Sequence, residues 1–266
     1  MSEDTPTNSQ TRIIAVANQK GGVGKTTTVI NLAANLATSE KRTLVIDLDP
    51  QCNASSGLGF QPIEDPTLLE VLLGEAEDPI ILPFDTIPGL EVLTGSPDLV
   101  GAEKLLADAH KEPLLAVQRM LDRLIQKDSG YEYIFLDCPP SLGMLTLNAF
   151  SAATDLLIPV QAEYFALEGL TSIMESLEVA QAHMNTGLNL YGIVITMMDL
   201  RTNLSRQVES EIRNHYGKKV FKTTIPRNVR LSEAPSHALP VTLYDFWSSG
   251  AKAYMELTKE ILRNGS

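Results

Sequence analysis

The chain has 266 residues, 44% of them hydrophobic and 20% charged, and carries a formal net charge of −12. That length sits near the upper end of what one hydrophobic core supports, and the apolar fraction excludes a mostly disordered chain. No apolar run approaches the roughly 18 residues of a membrane span. The negative charge, averaged over the whole surface, argues against passive binding to nucleic acid or anionic lipid.

In chain order, residues 1–11 are polar and rich in Ser and Thr. They read as a flexible tail without the apolar centre of a signal peptide, which predicts a cytoplasmic protein. Residues 12–266 are expected to form a single domain. The compact apolar runs Ile13–Ala17, Thr43–Ile46, Tyr133–Leu136, Leu156–Val160 and Tyr191–Thr196 predict strands buried on both faces of a parallel sheet. Helical patterns fall near Thr26–Ser39, Leu114–Lys127, Leu142–Ala153, Glu168–Met184 and Ser205–Tyr216. A last helix, about Ser248–Leu262, is expected to pack back on the sheet. Pro79–Leu82 and Leu90–Leu93 read as edge strands or a hairpin. This alternation predicts a doubly wound α/β fold, a mostly parallel sheet flanked by helices. The only cysteines, Cys52 and Cys138, are too few for a disulfide framework and suit a reducing compartment.

The strongest motif is Lys20-Gly21-Gly22-Val23-Gly24-Lys25-Thr26-Thr27, directly after the first strand and opening the first helix. Glycines let the backbone wrap close to a phosphate, successive N–H groups point at the anion, and the helix N-terminus adds its positive end. Lys25 is then placed to reach the β- and γ-phosphates, and the Thr26 hydroxyl to bind Mg²⁺. Two further elements end strands in carboxylates: Asp47-Leu48-Asp49 after the second, and Asp137 after Tyr133-Ile134-Phe135-Leu136. Acids at buried strand ends are expensive unless they meet a cation or a donor. The carboxyl edge of an open α/β sheet is where ligands bind. Asp137 fits a Walker B carboxylate holding Mg²⁺.

The loop departs from G-x-x-x-x-G-K-[ST], with Gln19 where the first glycine belongs and a second lysine at Lys20. It resembles the deviant Walker A motif, KGGxGK[ST], of the ParA/MinD/nitrogenase-iron-protein group of P-loop ATPases. In that group the extra lysine reaches across a dimer interface to the partner's nucleotide, as an arginine finger does. The resemblance assigns Asp49 to the attacking water and Asp47 to the magnesium shell or to switch structure. It narrows to the ParA/Soj partitioning ATPases on three stretches: Asn18 to Thr28 with Asn31-Leu32-Ala33, Asp199 to Leu204, and Ile225 to His237. The family's adenine pocket makes Pro226, Asn228 and Met197 candidates. Cys52 stands where the family usually has glycine, and Cys138 where it has threonine. Neither matches the cluster cysteines of the nitrogenase iron protein.

Charge is unevenly distributed. Between Asp199 and Arg230 eight basic residues face three acids, a net of +5 that leaves −17 on the remainder. Residues 64–112 alone carry −10. A basic segment of this kind supports sequence-independent phosphate contacts. Arg201 and Arg230 match the family's DNA-contact arginines, and Arg206, Lys222 and Arg227 join them as candidates. The resemblance therefore implies a Mg²⁺-dependent ATP hydrolase that forms an ATP-dependent homodimer on nonspecific double-stranded DNA, associated with the nucleoid. It also implies stimulation by a ParB-type centromere-binding partner. The rivals are a MinD-like membrane-associated ATPase, which needs a basic amphipathic C-terminal helix, an orphan positioner of another cargo, and a sensor that binds ATP without hydrolysing it.

Overall fold

The computed structural model describes residues 11–128 and 130–264. Seven strands form one sheet in the order β3-β4-β2-β5-β1-β6-β7. They are β1 (Arg12–Val16), β2 (Thr43–Asp47), β3 (Leu82–Pro83), β4 (Leu90–Leu93), β5 (Tyr133–Asp137), β6 (Asp155–Gln161) and β7 (Asn189–Thr196). All neighbours pair in parallel except the two-residue β3, which runs antiparallel to β4 and closes that edge. The five expected strands are therefore present. The expected edge feature is a short hairpin, displaced from Pro79–Leu82 to Leu82–Pro83 on its first arm. The tail expected over residues 1–11 lies outside the described residues, except Thr11, whose hydroxyl donates to the Tyr131 carbonyl at 2.8 Å.

The helices are α1 (Lys25–Thr38), α2 (Asn53–Gly57), α3 (Leu68–Leu73), α4 (Ala102–Ala109), α5 (Ala116–Lys127), α6 (Met144–Ala152), α7 (Ala166–His183), α8 (Asn203–Tyr216), α9 (Val229–Glu233), α10 (Val241–Tyr244) and α11 (Ser249–Asn264). One apolar layer joins one sheet face to α3–α7, and the other buries α1 and α11. Burying apolar side chains on both faces contributes about 1.5–3 kcal/mol per large residue and holds the strands flat against their covers. As expected, α11 packs back: Ala251, Tyr254, Leu257 and Ile261 are buried, and the Tyr254 hydroxyl meets the Thr28 hydroxyl at 3.0 Å. Among the described residues no helix is long and apolar enough to cross a membrane.

Two features position the site. The adjacent strands β1 and β5 feed connections that run opposite ways, β1 through α1 to β2 and β5 through α6 to β6 over the other face, so a crevice opens beyond their carboxyl ends. Register then places Val16 beside Asp137 and Asp137 beside Asp47. Beyond β7 the chain continues its edge irregularly. The Phe221 and Ile225 N–H groups donate to the Ile193 and Ile195 carbonyls, which carries residues 225–237 to the same crevice.

Candidate nucleotide site

The loop from Gly21 to Thr27 folds as the sequence predicts. Gly22 and Gly24 have φ of +75° and +90°, a region that side chains rarely adopt, so glycine is required at both. The Thr196 hydroxyl at the end of β7 donates to the Val23 carbonyl at 2.7 Å and pins the loop from behind. The Lys25 ammonium is buried and donates to the Lys20 carbonyl at 3.3 Å. Burial pushes its pKa down, and the nearby Asp137 and Asp49 oppose that shift.

A cavity of about 540 Å³ lies over this loop, lined by Gly21, Gly22, Gly24, Lys25, Thr26 and Thr27 and, across from them, by Asp49 and Pro140. A second cavity of about 300 Å³ shares Gly24, Thr27 and Met197 with the first and continues to Pro226, Arg227 and Asn228. The two spaces adjoin, the larger over the loop and the smaller beside the segment from Ile225 to Asn228. Met197, Pro226 and Asn228 all face the second space. The Asn228 amide is already engaged there, with its oxygen accepting from the Arg230 N–H and its nitrogen donating to Ser249.

The three carboxylates differ sharply. Asp137 is wholly buried, and neither of its oxygens has a hydrogen-bond partner. Burial, then the neighbouring Asp47, raises its pKa well above the usual carboxylate range, and the approach of the Thr26 hydroxyl, short of a well-formed hydrogen bond, opposes that shift. An orphaned buried carboxylate facing a threonine hydroxyl fits a Mg²⁺ ion, which takes one or two protein oxygens and completes its shell with phosphates and water. Asp47 does not line the cavity. Its Oδ2 accepts from the Ser55 N–H at 2.8 Å and the Ser55 hydroxyl at 2.7 Å, and its Oδ1 accepts from the Asp49 N–H at 3.2 Å. Both oxygens of Asp47 are thus engaged by the segment that carries Asp49, whereas those of Asp137 are not engaged by any side chain or backbone donor among the described residues. Burial pushes the Asp47 pKa up to about 6 against those three donors. Asp49 faces the open cavity, with one oxygen accepting from the Gln51 N–H at 3.0 Å.

Lys20 is turned away from the cavity. Its ammonium pairs with Glu163 in the loop after β6, and its N–H donates to Asn18 Oδ1. The basic candidates all lie at the surface, and the Arg201 side chain is 88% exposed. Arg201 pairs with Asp199, whose pKa falls to about 2 beside that guanidinium. Arg230 pairs with Glu233 and Asp245, and Arg206 donates to Asn203. Lys222 and Arg227 are exposed. Sequence reasoning missed Gln51, Asn53, Ser56 and Pro235 of the cavity wall. Pro235 falls inside the family segment already noted, and the other three directly follow Asp49, which was the available signal.

Comparison with known proteins completes the picture. The AAA domain family matches residues 11–190. The sporulation initiation inhibitor protein Soj of Bacillus subtilis is 46% identical over 96% of this chain and 99% of its own. The chromosome-partitioning ATPase Soj of Thermus thermophilus is 48% identical over 96% of each. The chain belongs to the ParA/Soj family of chromosome-partitioning ATPases. It is accordingly an ATP hydrolase that works with ATP and Mg²⁺. Among solved structures, cobyrinic acid a,c-diamide synthase of Mycobacterium smegmatis with ADP and magnesium superposes with a TM-score of 0.81 at 36% identity, over 96% of this chain and 95% of that one. The cell division ATPase MinD of Pyrococcus furiosus gives 0.74 at 27%, over 95% and 99%.

The two cysteines border the site without the reactivity of a redox centre. Cys52 is nearly buried, and burial with Asp47 and Asp49 beside it pushes its thiol up to about 11. Cys138 is pushed higher still by full burial and Asp137. At pH 8 both are expected to react with a thiol reagent roughly a hundredfold slower in the native protein than in denaturant. Rates that match in the two conditions would contradict this burial.

Proposed function

We propose that this ParA/Soj ATPase dimerises around two ATP molecules, binds double-stranded DNA without sequence preference in that state, and leaves it on hydrolysis. Residues 12–266 act as one ATPase domain in this reading, in the cytoplasm and on the nucleoid, stimulated by a ParB-type centromere-binding partner. The observation that carries it is the path of residues 225–237. One short segment lines the smaller cavity through Pro226 and Asn228 and presents Arg227 and Arg230 to solvent. Nucleotide occupancy and surface charge are thereby joined in a few residues.

Within this reading the loop N–H groups and Lys25 hold the phosphates, Thr26 and Asp137 hold Mg²⁺, and Asp49 orients the attacking water. Bound Mg²⁺ supplies charge neutralisation at the phosphate oxygens. Lys20 acts on the partner's nucleotide, which requires it to leave Glu163. Dimerisation doubles the basic surface, so two weak contacts act through effective concentration.

Binding of a nonspecific DNA duplex, followed by anisotropy, is expected with ATP and Mg²⁺ and not with ADP, and should weaken steeply with salt. Arg201→Ala and Arg230→Ala are each expected to lower that affinity by about tenfold or more, while ATP-dependent dimerisation measured by light scattering persists. Joint loss of both would make the arginine structural. The MinD likeness gives the alternative of membrane association. The burial of the α11 apolar residues against the core speaks for DNA instead. Flotation with liposomes that requires ATP would overturn the DNA reading.

A further inference from the structure

The segment from Leu48 to Gly57 leaves β2, crosses over the cavity and returns as α2. Asp49 faces the cavity from its first turn, and Asn53 and Ser56 face it from α2. Ser55 points the other way and is completely buried. Its N–H and its hydroxyl both donate to Asp47 Oδ2, and its hydroxyl oxygen accepts from the Gly95 N–H at 3.0 Å. The second oxygen of the same carboxylate accepts from the Asp49 N–H. Both ends of the crossing segment are therefore tied to one buried anion, Asp49 on one oxygen and Ser55 on the other.

This triangle has no slack. A Cβ added at Gly95 would lie 2.9 Å from the Asp47 carbonyl oxygen, 3.1 Å from its carboxyl carbon and 3.2 Å from the Asp49 carbonyl oxygen. The end of β4 thus presses on the backbone that carries Asp49. Removing the Ser55 hydroxyl would free one carboxylate lone pair and orphan the Gly95 N–H, both away from water. Each such orphan is destabilising, and the segment relieves it by shifting. Asp49 moves with it, because the backbone N–H groups of residues 49 and 55 still hold the segment to Asp47 but nothing then ties that carboxylate and α2 to the Gly95 N–H.

We propose that Ser55 is a positioning residue for ATP hydrolysis: its buried hydroxyl bridges the ends of β2 and β4 and fixes where Asp49 stands over the cavity. The inference rests on the role given above to Asp49 and extends it to a group that touches neither nucleotide nor metal. A misplacement of about 1 Å at a reacting group costs about a hundredfold in rate. ATP affinity does not follow, since the phosphate loop, Lys25 and the smaller cavity are built from other segments.

The test is phosphate release by full-length protein with Mg²⁺, ATP and duplex DNA, alongside the affinity for a fluorescent ATP analogue. Ser55→Ala is expected to lower kcat by about a hundredfold with KM and analogue affinity changed less than about threefold, and Ser55→Thr, which keeps the hydroxyl, should restore kcat. Adding Ser55→Ala to Asp49→Ala should produce no further loss, because the two act as a unit. A purely structural serine would instead lower thermal stability with kcat of the folded fraction unchanged, and that result overturns the proposal. Should Ser55→Ala fail to fold, Ser55→Cys keeps the volume and only a weak donor, and full turnover by that variant overturns it equally. An Asp49→Ala protein that still turns over would instead refute the catalytic reading beneath the proposal.

Discussion

Replacing Asp49 by alanine is expected to lower ATP turnover by about 10²- to 10⁴-fold, the usual contribution of a positioned proton acceptor, while ATP still binds. The two effects separate because of where the residue sits. Asp49 lines the cavity opposite Lys25 and Thr26, and its own hydrogen bonds run to Asp47 and Gln51 rather than to the loop that grips the phosphates. Its loss removes the group that orients water and leaves the anion-binding N–H groups intact. If the ATP-bound form is the one that dimerises on DNA, the variant should remain on DNA where the parent protein cycles off. Equilibrium binding of a fluorescent ATP analogue, phosphate release and DNA dissociation after an ATP chase together check the prediction. Weak ATP binding by the variant would show that Asp49 holds the nucleotide rather than the water.

The strands and the phosphate loop were legible because their physics is local. A strand buried on both faces must be apolar throughout, and residues 133–136 and 156–160 say so without reference to anything else. Gly22 and Gly24 announce positive φ by being glycine. The short helices were not read, for different reasons. For α3, the capping box was in plain view, with Thr67 and Glu70 three apart before an apolar run, and each side chain serves the other's backbone N–H. For α2 and α9, five residues cannot hold a helix alone, and what stabilises them is distant in sequence or aperiodic: the Asp47 carboxylate under α2, and Ser249 holding the Asn228 cap of α9.

Charge was legible as composition and not as geometry. The +5 of residues 199–230 is a sum, and folding divides it into groups with different duties. Arg213 spends its guanidinium on Glu209 and on the Phe221 and Lys222 carbonyls, which secures the chain that borders β7. Arg230 is exposed but doubly paired, to Glu233 nearby and to Asp245 from the next segment. A DNA phosphate must therefore displace or share those acids. Lys20 is the sharpest case, since its pairing with Glu163 joins the phosphate loop to the end of β6 and no local pattern predicts it. Such exposed pairs are worth about 0–1 kcal/mol, little enough for a triphosphate to outcompete.

Asp137→Asn is expected to abolish Mg²⁺-dependent turnover and, in the same protein, to raise the stability of the nucleotide-free fold. The carboxylate is buried with both oxygens unpartnered, so its charged form is opposed first by burial and then by Asp47. Its folded pKa lies above the unfolded value, so the native state binds more protons than the unfolded chain and stability falls as pH rises through that interval. Asp47 adds to the slope between its ordinary value near 4 and about 6. The nucleotide-free protein should therefore melt at a lower temperature at pH 8 than at pH 6. Mg²⁺ with ATP should narrow the gap, since a ligand that binds only the native state stabilises it. Asparagine removes the buried charge at nearly constant shape. Lys25 loses an attractive neighbour in exchange, yet it retains the Lys20 carbonyl and Asp49 across the cavity. The desolvation of Asp137 outweighs that loss, because it is the leading cause of the shift. A higher melting temperature than the parent's is expected at pH 8, with the remaining pH dependence at lower pH, where Asp47 and the partly buried Asp155 titrate. A variant that melts lower than the parent without ligand would mean that Asp137 already has a compensating partner and that its place in the fold does not depend on the metal.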